Sequence, residues 1–261
     1  MPETISADGS RIGYERIGDG PAVILMGGAF NDRDSVRGVG DMLALAGFAA
    51  VVFDRRGRGA STEAGPWSVD REVEDVAALI ADPGAGGGSA ALFGHSSGAG
   101  LALHAARALP EATSVAVYEV PYRAEPMPDD TPERVAAALD AGDADAATRA
   151  FLTGAVGVPA PVVDGMAVGP GWAAMTAMAH TLPYELALSA TGEGIPAFLD
   201  EVRQPALVLT GGESAPWWRD AAERIAARMP DARTEVVPGQ DHAVLAHPEA
   251  LREPLTRFFA A

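Results

Sequence analysis

Residues 90–109 limit the possible folds of this chain more than any other stretch. An apolar run at residues 90–93 leads into the pentapeptide Gly94-His95-Ser96-Ser97-Gly98, and small and apolar residues at helical spacing follow it. This order predicts a strand, a sharp turn and a helix, with the Ser96 side chain pushed out above the sheet at the apex. Because Ser97 would begin the helix, its backbone N–H would point at negative charge that develops beside Ser96. A G-x-S-x-G match can arise by chance in a chain with 30 glycines, so the flanking strand and helix are what give it weight.

The rest of the chain repeats this strand and helix pattern. A hairpin is expected at residues 5–17, and short, mostly apolar runs predict further strands at residues 22–26, 49–53, 114–118, 206–210 and 234–237. Amphipathic helices are predicted at residues 34–46, 68–80, 217–229 and 248–259. Such alternation implies right-handed crossovers and an α/β fold with a mostly parallel, doubly wound sheet flanked by helices. Functional side chains are then expected above the carboxyl ends of the strands.

Residues 123–202 interrupt this alternation. They contain helical patterns at residues 132–141, 144–152, 170–179 and 182–189, broken by Pro and Gly, and no convincing strand. We expect a helical cap, inserted after the strand that ends at Glu119 and lying over the functional edge of the sheet. The predicted division is therefore an α/β core in two parts, residues 1–122 and 203–261, with the cap at residues 123–202. Residues at helical spacing more often belong to a core than to a binding pocket. Four apolar residues of the cap are nevertheless candidates for lining a pocket: Met166, Trp172, Met175 and Met178.

The composition excludes several classes of function. The 36 acidic residues outnumber the 19 basic ones, and the resulting formal charge of -17 disfavours nucleic acids and anionic membrane surfaces as partners. Every basic residue is an arginine, which excludes lysine chemistry, and the absence of cysteine excludes disulfides, thiol nucleophiles and thiolate metal sites. We expect a cytoplasmic protein that needs no cofactor or metal and acts on a small-molecule substrate. The oligomeric state stays open, with a homodimer as one alternative.

His242 is the predicted base for Ser96. A serine hydroxyl is a weak nucleophile until a neighbouring base accepts its proton, and an acidic side chain commonly orients that base. His242 follows the last predicted strand and so belongs to the same edge of the sheet as Ser96. The other histidines are weaker candidates because of where they are predicted to lie. His95 belongs to the turn and His104 to the helix after it, whereas His180 belongs to the cap and His247 to the start of the last helix.

These motifs together resemble the α/β-hydrolase superfamily. The resemblance rests on the Ser96 pentapeptide, on Gly239-Gln240-Asp241-His242, and on Asp54-Arg55-Arg56-Gly57-Arg58-Gly59-Ala60-Ser61, which is similar to the D-x-R-G-x-G-x-S loop of the family. It implies an oxyanion hole with the Ser97 N–H as one donor. The loop that supplies the second donor usually reads His-Gly in the family, whereas here it reads Met26-Gly27-Gly28-Ala29. The second donor therefore stays open between the N–H groups of Gly28 and Ala29.

The acid is the ambiguous member of the implied triad. Most family members carry an Asp in a G-x-x-D loop after the strand that follows the cap, but here Gly211-Gly212-Glu213-Ser214 has serine at that place. Other members carry the acid at the end of the strand before the cap, where this chain has Glu119. We predict Glu119 as the acid, with Glu213 as the alternative.

A serine nucleophile also narrows the reaction that the resemblance implies. Dehalogenases and epoxide hydrolases of the family attack with aspartate, so Ser96 argues against both. We expect a serine hydrolase that cleaves an ester or thioester of a small apolar substrate through an acyl-enzyme. Two alternatives stay open. One is a cofactor-independent biosynthetic cyclase or lyase that uses the same site, and the other is a ligand-binding protein without activity, which the presence of nucleophile, base and acid disfavours.

Overall fold

The computed structural model describes residues 1–123, 127–128, 130–189 and 194–261. Its centre is an eight-stranded sheet in the order β1-β2-β4-β3-β5-β6-β7-β8. The strands are β1 (Glu3–Ile5), β2 (Arg11–Ile17), β3 (Ala22–Met26), β4 (Ala49–Phe53), β5 (Ala90–His95), β6 (Ala112–Tyr118), β7 (Ala206–Gly211) and β8 (Ala232–Val237). β1 and β2 pair in antiparallel fashion and form the predicted hairpin, whereas β3 to β8 are mutually parallel. The predicted fold class, a mostly parallel α/β sheet, is confirmed.

Two layers of helices bury the two faces of the sheet. The flanking helices are α1 (Arg33–Leu45), α2 (Val69–Ala81), α3 (Ser97–Ala108), α9 (Pro216–Arg228) and α10 (Arg252–Phe259). Along β3, Val23 and Leu25 pack on one face with α1 and α10, and Ile24 packs on the other face with α2, α3 and α9. Every residue of β3 is buried, as expected of a strand covered on both sides. The amphipathic helix patterns are therefore explained by burial against the sheet.

Helices also fill the described part of the chain between β6 and β7. They are α4 (Thr131–Asp140), α5 (Ala144–Phe151), α6 (Ala160–Ala167), α7 (Trp172–Ala177) and α8 (Leu182–Leu188). A π-helical turn, Leu152–Val156, continues α5. The sequence patterns missed α6, because Pro159, Pro161 and Gly165 in and beside it suggested loop. The division into core and cap at residues 123 and 202 stays a prediction.

No helix within these described ranges is both long and apolar enough to cross a membrane.

Candidate active site

Ser96 lies at the apex of a tight turn between β5 and α3. Its backbone has φ 57° and ψ -128°, a conformation that residues other than glycine rarely adopt. A Cβ at Gly94 would lie 2.4 Å from the carbonyl oxygen of Gly98, and a Cβ at Gly98 would lie 2.4 Å from the carbonyl oxygen of Met26. Glycine is thus required on both sides of Ser96, because the strand, the turn and the neighbouring loop approach one another too closely for any side chain.

The predicted base and acid both lie beside Ser96. His242 Nε2 is 3.2 Å from Ser96 Oγ, and His242 Nδ1 is 2.7 Å from Glu119 Oε2. Ser96 follows β5, Glu119 follows β6, and His242 belongs to the loop after β8, so the carboxyl edge of the parallel sheet brings the three together. An unbroken path of polar contacts therefore joins the Glu119 carboxylate, the His242 ring and the Ser96 hydroxyl.

Glu119 is buried and held as an anion. It is 2% exposed, and its other carboxylate oxygen, Oε1, accepts from the Gly211 N–H at 2.9 Å. Burial by itself raises the pKa of Glu119, but hydrogen bonds from His242 and the Gly211 N–H outweigh it and hold the pKa below its usual value. Glu213, the alternative acid, is exposed, and its side chain has no hydrogen bond or ion pair among the described residues. The structure therefore brings Glu119 to His242 and leaves Glu213 apart from it.

Two aromatic rings lie against His242: Trp218, which the sequence patterns did not single out, and His95, which they gave only as a weaker candidate base. The Trp218 ring stacks on the His242 ring with centroids 4.7 Å apart and an interplanar angle of 15°. His95 lies on the loop side, where its Nε2 is 2.9 Å from the His242 carbonyl oxygen. Burial, and after it the nearby His242, lowers the pKa of His95 to about 3, so His95 is neutral and its Nε2–H donates to that carbonyl. His95 thus fixes the loop that carries His242.

The loop after β3 faces Ser96 and distinguishes the two candidate oxyanion donors. The Gly28 N–H donates to Asn31 Oδ1 at 3.0 Å, so it is already engaged. The N–H groups of Ala29 and Ser97 have no hydrogen-bond partner within the described part of the chain. A Cβ at Gly28 would lie 2.8 Å from Ser96 Cβ, which shows how closely the loop packs on the turn. Two unpaired N–H groups, those of Ser97 and Ala29, are therefore available beside Ser96.

The arginine-rich loop after β4 is buried rather than open to a ligand. Arg55 pairs with Glu72 at 2.6 Å, and Arg56 pairs with Asp75 at 2.6 Å. Arg58 pairs with a third carboxylate, that of Glu185 on α8. The three guanidinium groups of this loop therefore bind carboxylates inside the protein.

A pocket of about 250 Å³ opens over Ser96. Its lining residues are mostly apolar and come from the loop after β3, from α5 with its π-helical turn, and from the start of α9, including Phe30, Phe151, Leu152, Val156, Trp217 and Trp218. The four cap residues considered as pocket lining are not among them. Instead Met166, Trp172 and Met175 pack in an apolar cluster with Leu152 and Val163. Nowhere in the described ranges do three His, Cys, Asp or Glu side chains form a group that could hold a metal ion.

Comparisons with known proteins agree with this architecture. Residues 23–253 match the model of the alpha/beta hydrolase family. An alpha/beta hydrolase from Sphaerobacter thermophilus is 39% identical, with a TM-score of 0.90 over 99% of this chain and 100% of that one. No curated protein matches the chain.

Two more distant structures share the fold. An esterase from Thermogutta terrifontis is 21% identical with a TM-score of 0.74, covering 99% of this chain and 97% of that one. An enol-lactonase from Burkholderia xenovorans is 17% identical with a TM-score of 0.75, covering 100% of both chains. The sheet order, the turn at Ser96 and the match over residues 23–253 lead to one conclusion: the chain belongs to the alpha/beta hydrolase family.

Proposed function

We propose that this protein is a serine hydrolase that cleaves a small apolar ester or thioester through an acyl-enzyme. The observation that carries the proposal is the path of contacts from Glu119 through His242 to Ser96. The N–H groups of Ser97 and Ala29, which have no partner among the described residues, belong to the lining of the same pocket as Ser96. A nucleophile, a base, an orienting acid and donors for a developing oxyanion are the parts that acyl transfer requires.

In the proposed mechanism His242 moves the protons. His242 Nε2 takes the proton of Ser96 Oγ as that oxygen attacks the substrate carbonyl carbon, and the N–H groups of Ser97 and Ala29 donate to the carbonyl oxygen as it becomes negative. The tetrahedral intermediate then expels the alcohol or thiol, which receives the proton from His242. Water, deprotonated by His242, attacks the acyl-enzyme, and the acid product leaves with Ser96 restored. The Glu119 carboxylate stabilises the imidazolium that forms in each half of the reaction.

The pocket supports the proposed substrate class. Its lining is mostly apolar, and its volume of about 250 Å³ lies just below the roughly 300–1,000 Å³ common for drug-sized ligands, which favours a small acyl group. Helix α5 and its π-helical turn supply part of that lining, which supports a cap role for residues 123–202. The names of the esterase and the enol-lactonase of the same fold support hydrolysis of an ester bond. A small-molecule substrate and the absence of cofactor, nucleic-acid and membrane partners belong to the same proposal.

Turnover of p-nitrophenyl butyrate by wild type and by Ser96→Ala tests the proposal. We expect turnover by wild type and its loss in Ser96→Ala. A fluorophosphonate probe should form a covalent adduct on Ser96 in wild type and also in Ser189→Ala, which removes another hydroxyl of the pocket lining. A folded wild-type protein that neither hydrolyses esters of several acyl lengths nor forms this adduct would overturn the proposal and favour a binding protein. An adduct without ester turnover would favour the cyclase or lyase alternative.

A further inference from the structure

Four charged side chains form a buried cluster beneath the site: Arg55, Arg58, Glu72 and Glu185. None of these side chains is more than 3% exposed. Arg55 binds Glu72 through two hydrogen bonds of 2.6 Å and binds Glu185 at 3.1 Å, and Arg58 binds Glu185. The two positive and two negative charges compensate one another, which is the condition for burying them.

Glu185 differs from Glu72 because its carboxylate contacts the elements that surround Ser96. The Ser97 hydroxyl donates to Glu185 Oε2, and Ser97 carries one of the two proposed oxyanion donors. Glu185 Oε1 accepts from Arg58, which donates in turn to the carbonyl oxygens of Gly28 at 2.8 Å and Asn31 at 3.0 Å. Those carbonyls flank Ala29, which carries the other donor. One carboxylate is thus bonded to the start of α3 and, through Arg58, to the loop after β3.

Glu185 is also the carboxylate that pairs with the buried Arg58 guanidinium. Burial lowers the pKa of the Arg58 guanidinium, and the Glu185 carboxylate is the main influence that opposes this shift. Glu185 therefore accepts from Ser97 and also compensates the buried charge of Arg58, which donates to the loop carbonyls.

We propose that Glu185 is a positioning residue that holds the N–H groups of Ser97 and Ala29 where both can donate to a substrate oxyanion. This inference rests on the proposed hydrolase function. It adds that a residue of α8, in the segment between β6 and β7, positions oxyanion donors that belong to the start of α3 and to the loop after β3. Glu185 touches no substrate, and its effect on the reaction passes through Ser97 and Arg58.

Glu72 provides a matched control. It is also a buried glutamate, and it binds Arg55 and the Trp67 indole N–H, at 2.8 Å, but it makes no hydrogen bond to Ser97 or Arg58 among the described contacts. Glu72→Gln and Glu185→Gln each remove one buried negative charge, so both are expected to lower the melting temperature. Glu72 reaches the loop after β3 only through Arg55, which donates to the Gly27 carbonyl oxygen at 3.3 Å. Glu185 contacts Ser97 directly and the carbonyls on both sides of Ala29 through Arg58, so the larger disturbance of the proposed donors is expected in Glu185→Gln.

The test measures kcat, KM and the inhibition constant of phenylboronic acid for wild type and both variants. Boron bonds to Ser96 Oγ as the hydroxyl proton passes to His242, and the tetrahedral, negatively charged boronate places one of its hydroxyl oxygens where the oxyanion would form, so its affinity reports donor geometry. We expect Glu185→Gln to lower kcat about 100-fold, the scale of losing one oxyanion donor, to weaken the boronic acid in parallel, and to change KM little. The loss of kcat in Glu72→Gln should be at least tenfold smaller than the loss in Glu185→Gln.

Equal losses of kcat in the two glutamine variants would overturn the role of Glu185 and leave the hydrolase proposal intact, whereas a wild type without ester turnover would overturn the hydrolase proposal itself. Ser97→Ala removes only the hydroxyl that donates to Glu185 and leaves all four charges in place, so it decides the question even if the glutamine variants fail to fold. We expect this variant to lose about tenfold in kcat at unchanged KM. Wild-type kcat and boronic acid affinity in Ser97→Ala would overturn the inference.

Discussion

At the scale of single residues, the candidate site contains backbone strain at three residues that line the pocket or contact His242. Ser96, Glu119 and Phe30 are the non-glycine residues with positive φ in the described chain, at 57°, 51° and 59°. Each such conformation costs of order 1–3 kcal/mol and persists only where the surrounding structure enforces it. Ser96 and Glu119 directly follow the ends of β5 and β6, so the rigid sheet is what imposes these conformations.

The acid is open to a direct test at this scale. Glu119→Gln keeps the shape of the side chain but cannot carry the charge that stabilises an imidazolium, so we expect kcat to fall by about 10³–10⁴-fold. Glu213→Gln, an exposed control of the same chemistry, should stay within about threefold of wild type. Steady-state kinetics with p-nitrophenyl butyrate measure both. A larger loss in Glu213→Gln than in Glu119→Gln would reverse the assignment.

His95 makes the folded state sensitive to acid. Its pKa is lowered from 6.5 to about 3 in the folded protein, mainly by burial, so below pH 6.5 the unfolded chain binds a proton that the folded chain does not. The stability contribution is complete above pH 6.5 and is lost progressively as the pH falls toward 3. Between pH 7 and pH 5 this residue should lower the free energy of unfolding by about 2 kcal/mol.

Urea unfolding at pH 7 and pH 5 measures this contribution. In His95→Gln, which cannot bind a proton, the difference in unfolding free energy between the two pH values should shrink by about that 2 kcal/mol. The exposed His247→Gln should keep the wild-type difference. The same pH dependence in His95→Gln as in wild type would show that His95 is not the group responsible.

At the scale of elements, the end of α5 forms one wall of the pocket. The π-helical turn Leu152–Val156 widens the helix there, and Leu152, Ala155 and Val156 line the cavity. A π-helical turn is uncommon and is often found at functional sites. Behind it, Leu152 packs against Val163 and Trp172, so the wall has apolar support from α6 and α7.

Shortening this wall should change the preference for acyl length. Leu152→Ala removes buried methyl groups that line the pocket, so kcat/KM for p-nitrophenyl octanoate should rise relative to that for the acetate by about tenfold. Val163→Ala removes methyl groups from the same cluster but does not line the pocket, and it should lower stability without changing this ratio. A ratio that moves equally in both variants would show that the wall does not set acyl length.

At the scale of the whole molecule, the segment between β6 and β7 is bound to the sheet and its helices. Leu188, Leu199 and Val202 belong to the same buried cluster as the strands and α3, and Glu185 supplies counter-charge to two arginines of the loop after β4. Separation of this segment would leave Arg55 and Arg58 short of a carboxylate and would expose core side chains.

We therefore expect the chain to unfold in one cooperative transition, although it is long enough for two domains. Far-UV circular dichroism and tryptophan fluorescence should give the same urea midpoint, since Trp172 reports on the helical segment and Trp67 on the core. Protease cleavage within residues 123–202 should begin near the same urea concentration as this unfolding midpoint. Separate midpoints would indicate that the predicted cap unfolds independently of the core.

The sequence by itself determined the order of strands and helices and the turn at Ser96, because hydrophobic periodicity and the need for glycine in a close approach are local properties. It also predicted that His242 lies at the same edge as Ser96, because the parallel strands of an α/β sheet present their carboxyl ends at one edge. Helix α6 escaped detection because its proline and glycine content is typical of loops.

Only the tertiary structure decided which of several similar groups meet. Glu119 and Glu213 both follow strands of the same edge, and only packing shows Glu119 within 2.7 Å of His242. The Asn31 side chain accepts from the Gly28 N–H, whereas the Ala29 N–H has no partner in the part of the chain that the structure describes. Glu185 and Ser97 are 88 residues apart in the chain, and no local pattern joins them. Contacts of this kind depend on how the elements pack in three dimensions, and hydrophobic periodicity along the chain does not predict them.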